Sequence, residues 1–169
     1  MELIQLARGR DVEVRPIRPG DGAALSAAYD RLSPQSKYSR FLAPKPYLSS
    51  AEVRYLVDVD GVNHLALVAT PADDPDTIVA VGRLVRLPED HDTAEFAIVV
   101  SDSYHREGLA TLLLERLANA ARDNGVKRIR ATVLADNLAA HHLMRRLPAD
   151  DVRERNFGAV DELEVDLAQ

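Results

Sequence analysis

The chain has no cysteine. That excludes a disulfide framework, a thiolate nucleophile and any cysteine-built zinc or iron–sulfur centre. No apolar run approaches the roughly 20 residues needed to cross a bilayer, so a membrane is not an expected partner. Met1–Asp11 carries charges and lacks the apolar stretch of a signal peptide, which makes the cytoplasm the expected location. There is no excess of basic charge. Lys and Arg number 21 against 27 Asp and Glu, a net charge of −6, and the only lysines are Lys37, Lys45 and Lys127. Proteins that track phosphate backbones need a basic surface, so nucleic acid is not an expected partner either. Neither a Gly-Lys-Ser/Thr phosphate loop nor a Gly-x-Gly-x-x-Gly dinucleotide fingerprint occurs.

What is present suits one globular domain. A length of 169 residues, 46% of them hydrophobic and 28% charged, is enough for one real core. Residues 1–11 read as an N-terminal arm and 12–169 as a single domain. Val12–Ile17 alternates like a strand. Asp21, after a Pro-Gly turn, is placed to cap a helix over Gly22–Leu32. Ser33-Pro34 opens a short helix to about Phe41, and Ser49 or Ser50 caps another over Ala51–Val57. His64–Thr70 is nearly continuous apolar sequence, as in a strand buried on both faces. An acidic hairpin loop, Pro71–Thr77, leads to a strand over Ile78–Leu87, with Gly82 as a possible bulge. A turn at Pro88–Asp92 and a strand over Ala94–Val100 complete an antiparallel meander. Gly108–Arg122 is an amphipathic helix ended at Asn124-Gly125. A strand over Arg128–Leu134 and a helix over Asn137–Leu147, stopped by Pro148, follow. Val152–Asn156 and Leu163–Leu167 form a last hairpin around Gly158. The fold class is α+β, a mixed α/β domain.

The stretch from Val99 to Thr111 is where chemistry is concentrated. A strand ends, a short loop turns, and a helix begins at Gly108. The first N–H groups of a helix are unpaired and carry partial positive charge, so they can hold an anion such as a pyrophosphate. Gly108 and Ala110 let a ligand approach the backbone, and Arg106 adds a mobile cation. An ordinary strand-to-helix turn is the competing reading.

Ala94-Glu95-Phe96-Ala97-Ile98-Val99-Val100 followed by Gly108-Leu109-Ala110-Thr111 resembles the central motif of the GNAT family of N-acetyltransferases. That family carries Gln/Arg-x-x-Gly-x-Gly/Ala at this turn, and here the window is His105-Arg106-Glu107-Gly108-Leu109-Ala110. His105 stands where Gln or Arg is usual. Val133–Asn137 is similar to the family's next strand and the Asn after it, and Val14–Asp21 to its first strand and turn. Leu32–Leu42 resembles the bacterial protein-lysine acetyltransferase branch. Together these span about residues 12–147.

The resemblance implies a splayed, mostly antiparallel sheet flanked by helices, with acetyl-CoA in a V-shaped cleft between the strands at 94–100 and 128–134. It implies pantetheine pairing and an oxyanion site on the backbone of Ile98, Val99 and Val100. It places the pyrophosphate on His105, Arg106, Glu107, Gly108, Leu109, Ala110 and Thr111, and sets Asn137 facing the cofactor. The reaction implied is direct attack by an amine acceptor, a protein lysine in this branch, with no covalent enzyme intermediate and no metal. The alternatives are a small-molecule amine acceptor and a non-catalytic acyl-CoA-binding regulatory domain.

An attacking amine must be neutral, and a lysine-like amine has an ordinary pKa of about 10.4, so a general base helps. Glu95 matches the glutamate that serves as base in the protein-acetylating branch. The other reading leaves it solvated, or paired with Arg83 or Arg86. Met144 occupies the position of the tyrosine with which many relatives protonate the leaving thiolate. Tyr104 and His105 are nearby alternatives, although a thiolate leaves readily without help. His141 and His142 are adjacent and point about 100° apart on a helix, a poor metal pair. His64 reads as a satisfied edge histidine. Arg40 with Tyr38 either lines the acceptor side or holds a local carboxylate. Residues 73–76 and 89–92 are acidic and either steer a basic acceptor or are simply solvated.

Overall fold

The computed structural model of the chain describes residues 1–147 and 152–167. Eight strands form one sheet in the order β1-β2-β3-β4-β5-β6-β8-β7. They are β1 (Glu2–Gln5), β2 (Asp11–Pro16), β3 (His64–Pro71), β4 (Ala80–Leu87), β5 (Asp90–Val100), β6 (Arg128–Leu134), β7 (Val152–Phe157) and β8 (Val160–Asp166). The helices are α1 (Gly22–Asp30), α2 (Pro34–Phe41), α3 (Ser50–Val57), α4 (Leu109–Asp123) and α5 (Leu138–Met144). Every strand pairing is antiparallel except β5 with β6.

Alternation along the strands divides the residues between two faces. Ala80, Gly82 and Leu84 of β4 and Ala94, Phe96 and Ile98 of β5 face α4, whose Leu113, Leu114, Leu117 and Ala121 are fully buried. Val81 and Val99 face the opposite way, into a core with Leu25, Tyr29, Leu56 and Ile78 beneath α1–α3. Glu95 shares that second face.

Several local expectations change. Residues 1–11, read as an arm, include β1, which pairs with β2 from Glu2↔Val14 to Gln5↔Asp11. Asp21 gives no side-chain cap to α1. Its carboxylate takes two bonds from Arg15, at 2.8 and 2.9 Å, and one from the Arg18 N–H, because a buried cation competes better for it than a helix end. Gly82 is no bulge. It stays in register opposite Leu67 and Ile98, and a Cβ there would lie 3.0 Å from Leu117 Cδ1, so the glycine is what lets α4 pack close. The acidic turn narrows to Pro88-Glu89, and residues 90–92 join β5. The last strand runs Val160–Asp166, earlier than expected. The expected stop at Pro148 lies outside the described residues.

Candidate active site

Parallel β5 and β6 pair over only three positions, Thr93↔Arg128, Ala94↔Ile129 and Glu95↔Arg130. Beyond Glu95 the strands part: β5 continues to Val100 beside β4, and β6 to Leu134 beside β8. The parting exposes backbone on Phe96–Val100 that no strand satisfies from the β6 side. Buried or half-buried polar backbone seeks partners, so this edge suits an extended ligand with amides of its own. Ile98, Val99 and Val100 are all half-buried along it. Both strands also end here, and ligands of open α/β sheets bind outside the carboxyl ends of parallel strands.

The loop after β5 is the mouth of this opening. Arg106 and Gly108 both have left-handed backbones, with φ of 63° and 83°. Gly108 is the N-cap of α4 and no side chain caps the helix, so the first-turn N–H groups stay open. Nothing lies within 4 Å of where a Gly108 Cβ would stand. The open space and uncapped dipole form a cradle that fits an anion. Ala110 and Thr111 are half-buried at its first turn, whereas the Leu109 side chain is 1% exposed and can offer a ligand only its N–H. Exposed Arg106 stands beside the cradle. His105 Nε2 lies 2.8 Å from the Val100 carbonyl oxygen and ties the loop to the strand.

Glu107 faces away from the cradle. Its side chain is fully buried and ion-paired with Arg10. Arg10 also donates to the Ser103 carbonyl at 2.6 Å and stacks 3.6 Å from the Tyr104 ring centroid. The N-terminal segment therefore clamps the anion loop, a role with no signal in the sequence, since nothing there relates Arg10 to a loop 97 residues away. Arg10→Ala should leave a buried carboxylate unpaired. We expect a lower melting temperature and, in calorimetry with inorganic pyrophosphate, weaker anion binding at the loop.

On the far wall, Asn137 opens α5 and its Oδ1 accepts the Ala140 N–H at 3.1 Å. No described residue takes its Nδ2 group. His141 is held by the Asn137 carbonyl oxygen at 2.7 Å and by Asp161 at 2.9 Å, so it ties α5 to β8. Met144 is 1% exposed in the core and presents nothing to the cleft. Neither Tyr104 nor His105 lines the cleft that holds Glu95.

That cleft, of about 590 Å³, lies on the α2–α3 side of the sheet and includes Arg40, Glu52, Tyr55, Arg83, Glu95 and Thr132. Glu95 is half-buried at the apex where β5 and β6 part. Its Oε1 accepts the Thr132 hydroxyl at 3.1 Å. Burial holds its carboxyl above the ordinary value of 4.5, against the opposing pull of Thr132, Arg130 and Arg40. The pairings expected from sequence do not form. Arg86 sits on the α4 face and donates to the Asn124 carbonyl, and Arg83 binds His64 and the Leu56 carbonyl. Arg130 is taken by Glu162 and Glu164. Glu52, the rival carboxylate in the cleft, is pulled down to about 2 by Lys45 and by its place in the α3 capping box. Glu95 thus holds a proton more readily than an ordinary carboxylate, and Glu52 less readily.

Within the acidic loops, Asp90 and Asp92 meet cations and Asp74 meets a hydroxyl. Asp74 accepts from Thr77 at 2.6 Å, Asp90 lies 3.4 Å from Arg128, and Asp92 lies 3.6 Å from Lys127. Tyr38 is exposed and does not line the cleft, whereas Arg40 does. Among the described residues no helix is long and apolar enough to cross a membrane.

The profile of the Acetyltransferase (GNAT) family matches residues 28–147. Acetyltransferase Pat of Mycolicibacterium smegmatis is 35% identical over 153 residues, covering 89% of this chain and 45% of that protein. The chain therefore spans under half of that relative's length. An acetyltransferase of Pseudomonas aeruginosa is 31% identical over 136 residues, covering 80% of this chain and 73% of that one. The crystal structure of the GNAT domain of S. lividans PAT superposes with a TM-score of 0.87 at 31% identity, covering 98% of this chain and 96% of that one.

Proposed function

Because this chain belongs to the acetyltransferase (GNAT) family, we propose that it transfers an acetyl group from acetyl-CoA to a primary amine, with a protein lysine as acceptor. The carrying observation is the half-buried carboxylate of Glu95 at the apex of the splay, with an anion cradle and open strand backbone on one side and a large cleft on the other. Likeness to Acetyltransferase Pat of M. smegmatis and to the GNAT domain of S. lividans PAT supports acetyl transfer, and the resemblance of Leu32–Leu42 to the protein-lysine acetyltransferase branch supports a protein acceptor.

Acetyl-CoA supplies the activated acyl group as a thioester. The chain's residues do the rest. The N–H groups at Gly108–Thr111, with Arg106 beside them, hold the pyrophosphate. The free edge of Ile98–Val100 orients the pantetheine arm and offers N–H groups to developing negative charge. Asn137 Nδ2 faces the cofactor from the far wall. Glu95 Oε1 or Oε2 removes a proton from the acceptor ammonium, which enters through the cleft between α2, α3 and β5. Thr132 fixes the carboxylate's orientation. A thiolate leaves at neutral pH without a proton donor.

The test is incubation of the chain with acetyl-CoA and, separately, lysine peptides and polyamines, read by CoA release and product mass. Acetylated peptide supports the reading. Acetylation of polyamine alone would replace the protein acceptor with a small amine, and CoA binding without turnover on either would leave a regulatory domain. The pH profile carries a further expectation. The ionised carboxylate is the active form, so rate should rise with pH through the Glu95 pKa, above the ordinary carboxylate range. Thr132→Val removes a hydrogen bond that lowers this pKa, so the acidic limb should move to higher pH.

A further inference from the structure

Two guanidinium groups stand in the acceptor cleft, and among the described residues neither makes a hydrogen bond or ion pair to a carboxylate. Arg83 is 4% exposed, and donates to the Leu56 carbonyl at 3.0 Å and to His64 Nε2 at 2.9 Å. Both acceptors are neutral, because burial and Arg83 hold the His64 imidazole down to about 4. Arg40 makes no hydrogen bond or ion pair with any described residue. Its Cζ lies 4.5 Å from the centroid of the Phe41 ring, and it feels Tyr29 and Glu95 through space without bonding to either. Burial and the nearby Arg40 push the Arg83 guanidinium down to about 10. Elsewhere the chain pairs its arginines freely: Arg15 with Asp21, Arg130 with Glu162 and Glu164, Arg153 with Glu164 and Asp166.

Both arginines line two cavities at once. One is the cleft that holds Glu95. The other, of about 40 Å³, follows the same face of β4 and β5 under α1 and α2, as far as Val99 and Ser101. Its remaining walls are largely apolar, with Leu25, Leu32 and Ile78 among them. Holding a cation in such a place is costly unless something anionic answers it. Guanidinium forks match a carboxylate in two parallel bonds, and exclusion of water strengthens them.

We propose that Arg40 and Arg83 form a carboxylate subsite, so that the preferred acceptor carries a carboxylate that seats on these guanidiniums while its amine meets Glu95. For a protein acceptor this means a lysine with an acidic neighbour. For a small acceptor it means an amino acid. The inference rests on the reading of Glu95 as base and selects among its acceptors.

The test uses the full chain at saturating acetyl-CoA and two matched acceptor pairs. One pair is a lysine peptide with Glu or Gln beside the lysine. The other is 6-aminohexanoate and its amide. The carboxylate member should show at least about tenfold higher kcat/KM. Arg40→Gln should abolish the difference, and Arg40→Lys should keep part of it. Equal rates within both pairs, or a preference that survives Arg40→Gln, would overturn the subsite. A carboxylate on the acyl chain is the other source of the same group. An Arg40-dependent gain with succinyl-CoA, and none with the carboxylate acceptors, would overturn the acceptor assignment.

Thermal melts with glutarate separate this inference from the activity. The wild type should be stabilised and Arg40→Gln should not. Stabilisation without turnover on any amine overturns the acetyl-transfer reading and supports the subsite. Turnover without stabilisation by glutarate, and without preference in either pair, does the reverse.

Discussion

Glu95→Gln should lower kcat by about 10²- to 10⁴-fold, the usual worth of a positioned general base, and leave the affinity for acetyl-CoA unchanged. The reason is geometric. Glutamine keeps the shape of the side chain and can still meet the Thr132 hydroxyl, so the splay and its lining survive. What is lost is the site that accepts the amine's proton. No other carboxylate in the cleft can replace it, because Glu52 is committed to Lys45 and to the α3 N-terminus. Raising the pH toward the amine's own pKa should recover part of the rate, since the acceptor then loses its proton to solvent. Steady-state kinetics over a pH series, with calorimetric CoA binding on both proteins, checks all three statements. Unchanged kcat would remove Glu95 from the mechanism.

Gly108→Val should abolish the stabilisation that acetyl-CoA confers. A ligand that binds only the folded state at a hundredfold excess over its Kd stabilises by about 2.7 kcal/mol. Gly108 has φ of 83° and a ligand-side space with no protein atom within 4 Å. A side chain there meets no clash from the protein, so the damage has two sources only. A left-handed backbone costs an L-residue roughly 1–2 kcal/mol, more when it is β-branched. The side chain also fills the space through which a pyrophosphate would reach the first-turn N–H groups of α4. The first source lowers the melting temperature of the free protein; the second removes the rise with ligand. Melts of wild type and variant, each with and without acetyl-CoA, separate them. A full ligand-induced rise in the variant would place the anion elsewhere.

Sequence alone determined most of the elements and their order, β1 excepted, because local physics writes them locally. The period of Leu109, Leu113 and Leu117 marks α4, the apolar run from His64 marks a buried strand, and a serine at 49 or 50 marks a helix start. It also brought Glu95 and the His105–Thr111 loop to notice, since both sit on one short stretch of chain around a strand-to-helix turn. Only the tertiary structure decided which charges find one another. Glu95 meets Thr132 and not Arg83 or Arg86, because the β4–β5 register sends Arg86 to the opposite face and the short β5–β6 ladder brings Thr132 alongside. The Glu107 side chain, on the loop expected to hold an anion by its backbone, turns inward to Arg10, and Asp21 serves Arg15 and the Arg18 N–H while leaving α1 uncapped. Pairings of this kind join residues far apart in the chain, and they depend on which face each residue takes and how much water is left around it. Those two quantities are properties of packing and have no local signature.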